Sequence, residues 1–195
     1  VTGGKLKLDL VYIVGPPGVG KSSVMEALTD ECDRLTALHT PVPHDVLLIP
    51  NDDDQNVDVA IELGRHRDSF SGTDALGMSI QPQAVEWIAT RPHRLILGEG
   101  ARLATVGFLH AARSAGYTVH LVHLGAQDAR LAERRRGRGS DQSPVWVRGA
   151  TTRARRIMER MAMDADLHFV RTDGKTPVQL ASLLTTWIPC LEVLR

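Results

Sequence analysis

Apolar residues follow two rhythms along the chain, short near-continuous runs and longer stretches at helical spacing. Residues 8–14, LDLVYIV, form a compact apolar run that ends at a glycine, as a buried strand does. Residues 21–34, KSSVMEALTDECDR, place Val24, Leu28 and Cys32 on one face, which predicts an amphipathic helix broken by TPVP at 40–43. The runs 45–49 (DVLLI) and 57–63 (VDVAIEL) flank the polar connector NDDDQN and predict a β-hairpin. Residues 64–77, GRHRDSFSGTDALG, read as a loop, and 82–90, with Ala84, Val85, Trp87 and Ile88, as a helix.

The alternation continues to the end of the chain. Residues 94–100 (RLILGEG) read as strand then turn, 104–116 as a helix with a glycine stop, and 117–124 (YTVHLVHL) as a strand. A helix starts at 126 and runs into arginine and glycine by 139; a second basic helix spans 143–161. Residues 166–172 (DLHFVRT) predict a strand, and 176–188 a helix capped by Thr176 with Pro177 at its first position. Strands alternating with helices imply an α/β fold of three layers, with a mostly parallel sheet of about five main strands and one hairpin insertion.

Composition narrows this picture without redirecting it. At 195 residues the chain is expected to form a single domain. Apolar residues are 43% and charged residues 24%, which excludes a disordered tail, a collagen or a disulfide scaffold. No run approaches a membrane span, and VTGGKLKLDL lacks a secretory core, so a cytoplasmic protein without a membrane partner is expected. Cys32 and Cys190 lie far apart with no metal spacing and read as free thiols.

Charge is balanced overall, 23 against 23, but not locally. Between Asp30 and Glu62 nine acids meet one base, Arg34; between Arg130 and Arg160 ten arginines meet three acids. An anionic ligand near the basic half, or a solvated arginine face, would each account for that asymmetry.

One motif carries chemistry outright. Residues 15–22, GPPGVGKS, fit the phosphate-loop pattern G-x-x-x-x-G-K-[ST], with a strand before it and a helix after it. Glycine lets successive backbone N–H groups turn inward onto phosphate oxygens, and the helix start adds its positive dipole end. The nucleotide-binding candidates are therefore Gly15, Pro16, Pro17, Gly18, Val19, Gly20, Lys21, Ser22 and Ser23. Lys21 supplies a cation to the β- and γ-phosphates, and Ser22 a hydroxyl ligand to Mg²⁺.

Other candidates depend on that motif. Glu99, at the end of LILGEG, could hold a magnesium-bound water, take a proton from an acceptor hydroxyl, or cap the following turn. Arg102 could reach a phosphate or pair with Glu99. The loop at 64–77 offers Arg65 and Arg67 for phosphate, Phe70 for stacking on a base, and Asp74 as a base or hydroxyl ligand, while Phe70 could equally plug the core. Arg134, Arg135, Arg136 and Arg138, then Arg148, Arg153, Arg155 and Arg156, suit a basic lid; Arg134, Arg138 and Arg153 are the favoured phosphate contacts. The same stretch could track a DNA backbone. His120 and His123 lie on a strand and read as packed residues rather than zinc ligands, and Trp87, Trp146 and Trp187 as core or lid anchors.

GPPGVGKS, an acidic residue after the third strand and a basic lid resemble the P-loop kinases of nucleosides, nucleotides and related small hydroxyl compounds. Three segments, LGRHRDSFSGTDALGMSI, LGEGARLA and RGRGSDQSPVWVRGATTRARRI, are similar to an actinobacterial and phage group that includes the phage 5-hydroxymethyluridine DNA kinases. Where nucleotide and deoxynucleoside kinases often carry D-R-Y or E-R-S, this chain has EGAR. The resemblance implies ATP and Mg²⁺ at Lys21 and Ser22, Glu99 or Asp74 as acid/base, an acceptor region over 45–78 and a lid over 130–160. The expected activity is phosphoryl transfer to a hydroxyl of a nucleotide-like acceptor, most sharply 5-hydroxymethyluracil in phage DNA. The alternatives are a free nucleoside or nucleotide kinase and, in another class, a regulatory NTP-binding ATPase module.

Overall fold

In the computed structural model the described residues are 7–51, 53, 55–64, 72–137 and 142–195. They contain seven strands: β1 (Leu8–Val14), β2 (Asp33–Ala37), β3 (His44–Pro50), β4 (Asn56–Leu63), β5 (Leu95–Glu99), β6 (Tyr117–Gly125) and β7 (Asp166–Arg171). Six α-helices accompany them: α1 (Lys21–Leu28), α2 (Ile80–Ala89), α3 (Val106–Ser114), α4 (Asp128–Gly137), α5 (Pro144–Arg160) and α6 (Pro177–Trp187). The strand order is β2-β3-β4-β5-β1-β6-β7. Neighbours from β4 to β7 run parallel, while β3 pairs antiparallel with both β2 and β4.

The parallel core has five strands, and the central ones, β1, β5 and β6, are largely apolar because helices cover both faces, whereas β7 at the edge is mostly exposed. On β1, Leu10, Tyr12 and Val14 join a cluster with α2, α3 and α5, among them Trp87, Phe108 and Ile157. Val11 and Ile13 point the other way, into a cluster with Val24 and Met25 of α1, Leu131 of α4 and Leu184 of α6. These are the two interfaces of a three-layer sandwich. No helix among the described residues is long and apolar enough to cross a membrane, and both cysteines are free.

One expectation needs correction. The helix predicted over 21–34 stops at Leu28, and residues 33–37 form β2 on the sheet edge. Acids crowd the position where that helix would continue (Asp30, Glu31, Asp33), and negative charge is disfavoured at a helix C-terminus. The helical spacing of Cys32 therefore loses to pairing with β3. The hairpin expected at 45–49 and 57–63 is present as β3 and β4, and β4 also pairs parallel with β5. Within the loop at 64–77, Gly72–Ala75 form a 3-10 turn.

The helix starts are as the sequence implies. Thr176 accepts from the Gln179 amide in a reciprocal capping box with Pro177 at the first helical position. Ser143 likewise accepts from the Trp146 amide ahead of Pro144, so α5 has a defined start.

Arg34, the one base of the acidic segment, reaches from β2 across the hairpin to Asp45 at 3.2 Å and Glu62 at 2.8 Å. Both carboxylates are largely withdrawn from water, so the arginine neutralises charge that the sheet has partly desolvated. Arg34→Ala is expected to lower the unfolding free energy by about 1–3 kcal/mol, read from the urea midpoint. A loss within the roughly 0–1 kcal/mol range of exposed pairs would make it an ordinary surface contact.

Candidate active site

Parallel pairing determines what meets at the mouth of the sheet. Ile13 of β1 lies in register with Glu99 of β5, and Val14 with His123 of β6. The loop leaving β1 at Gly15 therefore emerges beside the carboxylate that ends β5 and the last residues of β6. This is the crevice at the carboxyl ends of parallel strands where α/β folds bind ligands.

The phosphate loop is held from below. Val19 is buried with α1 and closes a turn through its amide to the Pro16 carbonyl at 3.3 Å. Gly15 lies so close to β6 that a Cβ there would sit 2.5 Å from the Leu124 carbonyl oxygen. The chain then enters α1 from Gly20 with no side-chain cap, so its first-turn amides have no carboxylate or hydroxyl of their own. A phosphate oxygen is the partner such amides suit. Lys21 Nζ folds back to the Gly15 carbonyl at 3.4 Å, and Ser23 follows in the first turn.

Ser22 Oγ donates to Glu99 Oε1 at 3.0 Å. Glu99 is 3% exposed, and its carboxyl is pushed up to about 7, chiefly by burial and further by Asp74, against the opposing pull of Lys21 and the Ser22 hydroxyl. A buried carboxylate beside a hydroxyl is an oxygen donor set that suits Mg²⁺, and a divalent cation there would offset the burial that disfavours the carboxylate charge. With the open amides and Lys21 alongside, the residues fit ATP and Mg²⁺.

Asp74 approaches from the 3-10 turn. Its Oδ1 accepts from the Ala101 amide at 2.7 Å and so ties the turn to the loop that leaves β5. Beneath it, Thr73 Oγ1 donates to the Glu99 carbonyl at 2.7 Å and meets the buried Tyr12 hydroxyl at 2.9 Å. Burial drives the Tyr12 phenol well above its ordinary range, so it stays neutral. Gly72 has φ +61, and a Cβ on it would lie 2.5 Å from Glu99 Oε1. Tyr12, Gly72 and Thr73 were not among the sequence candidates. Only the glycine carried a signal, because nothing along the chain announces that residue 12 meets residue 73.

Two arginines of α4 close over the phosphate loop. Arg134 Nη1 donates to the Val19 carbonyl at 3.2 Å and to Thr172 Oγ1 at 3.4 Å; Arg135 Nη1 donates to the Pro17 carbonyl at 3.2 Å. Arg135 was not favoured over its neighbours, yet the pattern held a clue: positions 134 and 135 are three and four residues beyond Leu131, which is buried against the same side. Arg153 is placed elsewhere, on an exposed part of α5 with its guanidinium over Gly149. Arg102 points its Nη1 at the Met78 thioether, and its Nε is buried without a hydrogen-bond partner. Arg65, Arg67, Phe70 and Arg138 lie outside the described residues. Trp87 is in the core, whereas Trp146 on α5 and Trp187 on α6 are partly exposed.

Comparison with known proteins bears on the fold and the family. No curated protein matches the chain in sequence. A sugar kinase from a Janibacter species, solved without ligand, superposes with a TM-score of 0.53 at 15% identity, covering 96% of this chain and 98% of that one. The tunicamycin resistance protein of Deinococcus radiodurans gives 0.49 at 14% identity, covering 93% and 96%. A gluconokinase from Sinorhizobium meliloti gives 0.46 at 18%, covering 98% and 95%. At such identities the likeness to the Janibacter kinase speaks for the fold, an α/β P-loop kinase sheet with an antiparallel β2-β3-β4 edge. The family model described as P-loop Nucleotide Kinase3 matches residues 6–187, nearly the whole chain, and the chain accordingly belongs to that family of ATP-dependent phosphotransferases.

Proposed function

We propose that this kinase moves the γ-phosphoryl group of ATP to a hydroxyl of a nucleotide-like acceptor seated between Glu99, Asp74 and the phosphate loop, and that this acceptor is a hydroxymethyl pyrimidine, 5-hydroxymethyluracil, in DNA. The observation that carries the transfer is the Ser22–Glu99 contact at 3.0 Å, which sets a buried carboxylate beside the phosphate loop. Support for a polymeric anionic acceptor comes from α5. Arg148, Arg153, Arg155, Arg156 and Arg160 are exposed along it, and its one acid, Glu159, is paired with Arg155 at 3.2 Å. An arginine row of that kind suits a phosphate backbone.

In this reading the first-turn amides of α1 and Lys21 bind the phosphates, and Arg134 and Arg135 turn from loop carbonyls to the transferring group. Ser22 would hold Mg²⁺ through its hydroxyl and Glu99 through a metal-bound water, and the ion would supply positive charge against the phosphates. The bond from the acceptor oxygen to phosphorus forms as the bond to ADP breaks, and the hydroxyl proton passes to a carboxylate. Glu99 is the better acceptor, since a group titrating near 7 can take a proton at neutral pH and give it up afterwards. Asp74 acts by positioning, through the Ala101 amide.

Lys21→Ala should abolish turnover in a protein with wild-type circular dichroism and melting; a folded, active variant would overturn the phosphate site. Glu99→Gln should cost on the order of 10²–10⁴ in kcat, and Asp74→Asn considerably less. The sign of the pH effect follows from the base being needed ionised. Activity is lost as pH falls through the carboxyl of Glu99, which burial pushes up to about 7, and Glu99→Gln removes that acid limb. An unchanged limb in the variant would move the base elsewhere.

The acceptor is tested with γ-labelled ATP and two parallel sets, DNA with and without 5-hydroxymethyluracil, and free nucleosides and nucleotides. Label on the modified DNA alone is expected. Label only on a free compound would make this a free nucleoside or nucleotide kinase, and ADP release indifferent to every acceptor would make it a regulatory ATPase.

A further inference from the structure

The opposite end of the sheet holds a second cluster that phosphoryl transfer does not use. Asp9 is the second residue of β1, His120 the fourth of β6, and Cys190 lies in the 3-10 helix Pro189–Leu194 that follows α6. All three meet on the α1–α6 side of the sheet. Asp9 shares the parity of Val11 and Ile13, and His120 that of Val122 and Leu124. We propose that Asp9, His120 and Cys190 bind a divalent transition-metal ion of the zinc type, which fastens the C-terminal 3-10 helix to the sheet.

Geometry is the first argument. One donor atom from each residue lies within 4.8 Å of the other two. A cation among them would sit within about 2.8 Å of each before any adjustment, against the roughly 2.0–2.3 Å of a relaxed zinc site. One pair is already closer: His120 Nε2 is 3.1 Å from Asp9 Oδ1.

Donor chemistry is the second. An imidazole, a carboxylate and a thiol that releases its proton to solvent as the ion binds select zinc-type ions over Mg²⁺ or Ca²⁺, which want oxygen alone. Asp9 and His120 are buried, whereas Cys190 is half-buried and leaves a way in from solvent. The competing cation is Lys7, which reaches Asp9 only at 4.0 Å from a largely exposed side chain.

The third argument is the far side of the histidine. His120 Nδ1 is buried without a hydrogen-bond partner, and Asp166 Oδ2 of β7 is its nearest counter-charge at 3.6 Å. If a neutral His120 donates to Asp9 through Nε2, its Nδ1 presents a lone pair towards the Asp166 carboxylate. With a cation on Nε2 the ring proton sits on Nδ1 instead and faces Asp166, the carboxylate–histidine–metal arrangement that orients metal-binding histidines. Both carboxylates around the ring then have a positive or hydrogen-bearing neighbour.

Asp9 is six residues before Gly15, where the phosphate loop begins, roughly 20 Å along an extended strand, so the bound ion acts on stability and not on transfer. The test titrates chelator-treated full-length protein with Co²⁺ under saturating magnesium, which occupies the Ser22–Glu99 site. A thiolate-to-cobalt charge-transfer band is expected, displaced by Zn²⁺, lost in Cys190→Ser and kept in Cys32→Ser. Zn²⁺ should raise Tm in the wild type and not in Cys190→Ser. Asp166→Asn, on an exposed side chain, should keep the band and weaken Zn²⁺ binding about tenfold. Absence of a thiolate band, or a band that survives Cys190→Ser, would overturn the proposal, and kinase activity decides nothing in either direction.

Discussion

The chemistry of this molecule hangs on the parallel pairing of two strands far apart in sequence. β1 and β5 are joined with Ile13 opposite Glu99, and that register alone brings a residue of the phosphate-loop helix within 3.0 Å of a residue 77 positions later. A shift of one residue would turn Glu99 to the other face of the sheet and replace it with Gly98 or Gly100. The register is secured by packing. Every residue of β5 is buried, and Gly98 leaves room for the Tyr12 ring, which would otherwise meet a Cβ at 2.6 Å. Core and site are thus one construction, since the ring that fills the core also carries the hydroxyl against which Thr73 rests.

Legibility in the sequence followed the distance over which each feature is built. The phosphate loop is eight consecutive residues between a strand and a helix, and its identity needs no tertiary contact. The alternation of strands and helices was equally plain, because burial on two faces makes the central strands β1, β5 and β6 largely apolar. Glu99 could be singled out from its place at a strand end, though its raised proton affinity depends on burial that only the packed sheet creates. Strand β2 was hidden by a helical pattern that Asp30, Glu31 and Asp33 overrule. The contacts of Tyr12 with Thr73, of Arg135 with Pro17 and of Asp9 with His120 span from 61 to 118 positions, and no local pattern encodes them.

Charge is handled differently in the two halves. The acids of the hairpin are in part answered internally, with Arg34 drawn between Asp45 and Glu62. The arginines divide: Arg134 and Arg135 turn inward onto loop carbonyls, while those of α5 stay in water with one acid among them. A net charge of zero therefore conceals one segment that is partly neutralised and another that is not. The field presented to a partner is set by the second.

Gly72 shows how narrow the tolerance at the mouth of the sheet is. Its φ of +61 and the 2.5 Å that would separate a Cβ from Glu99 Oε1 leave room for a hydrogen atom and nothing larger. Substitution there would press on the carboxylate and loosen its contact with Ser22 without touching a phosphate-binding residue. Position 72 is thus a point at which mutational drift is closed off by sterics rather than by chemistry. The space beside Glu99, and not the identity of any charged group, therefore fixes this position at the mouth of the sheet.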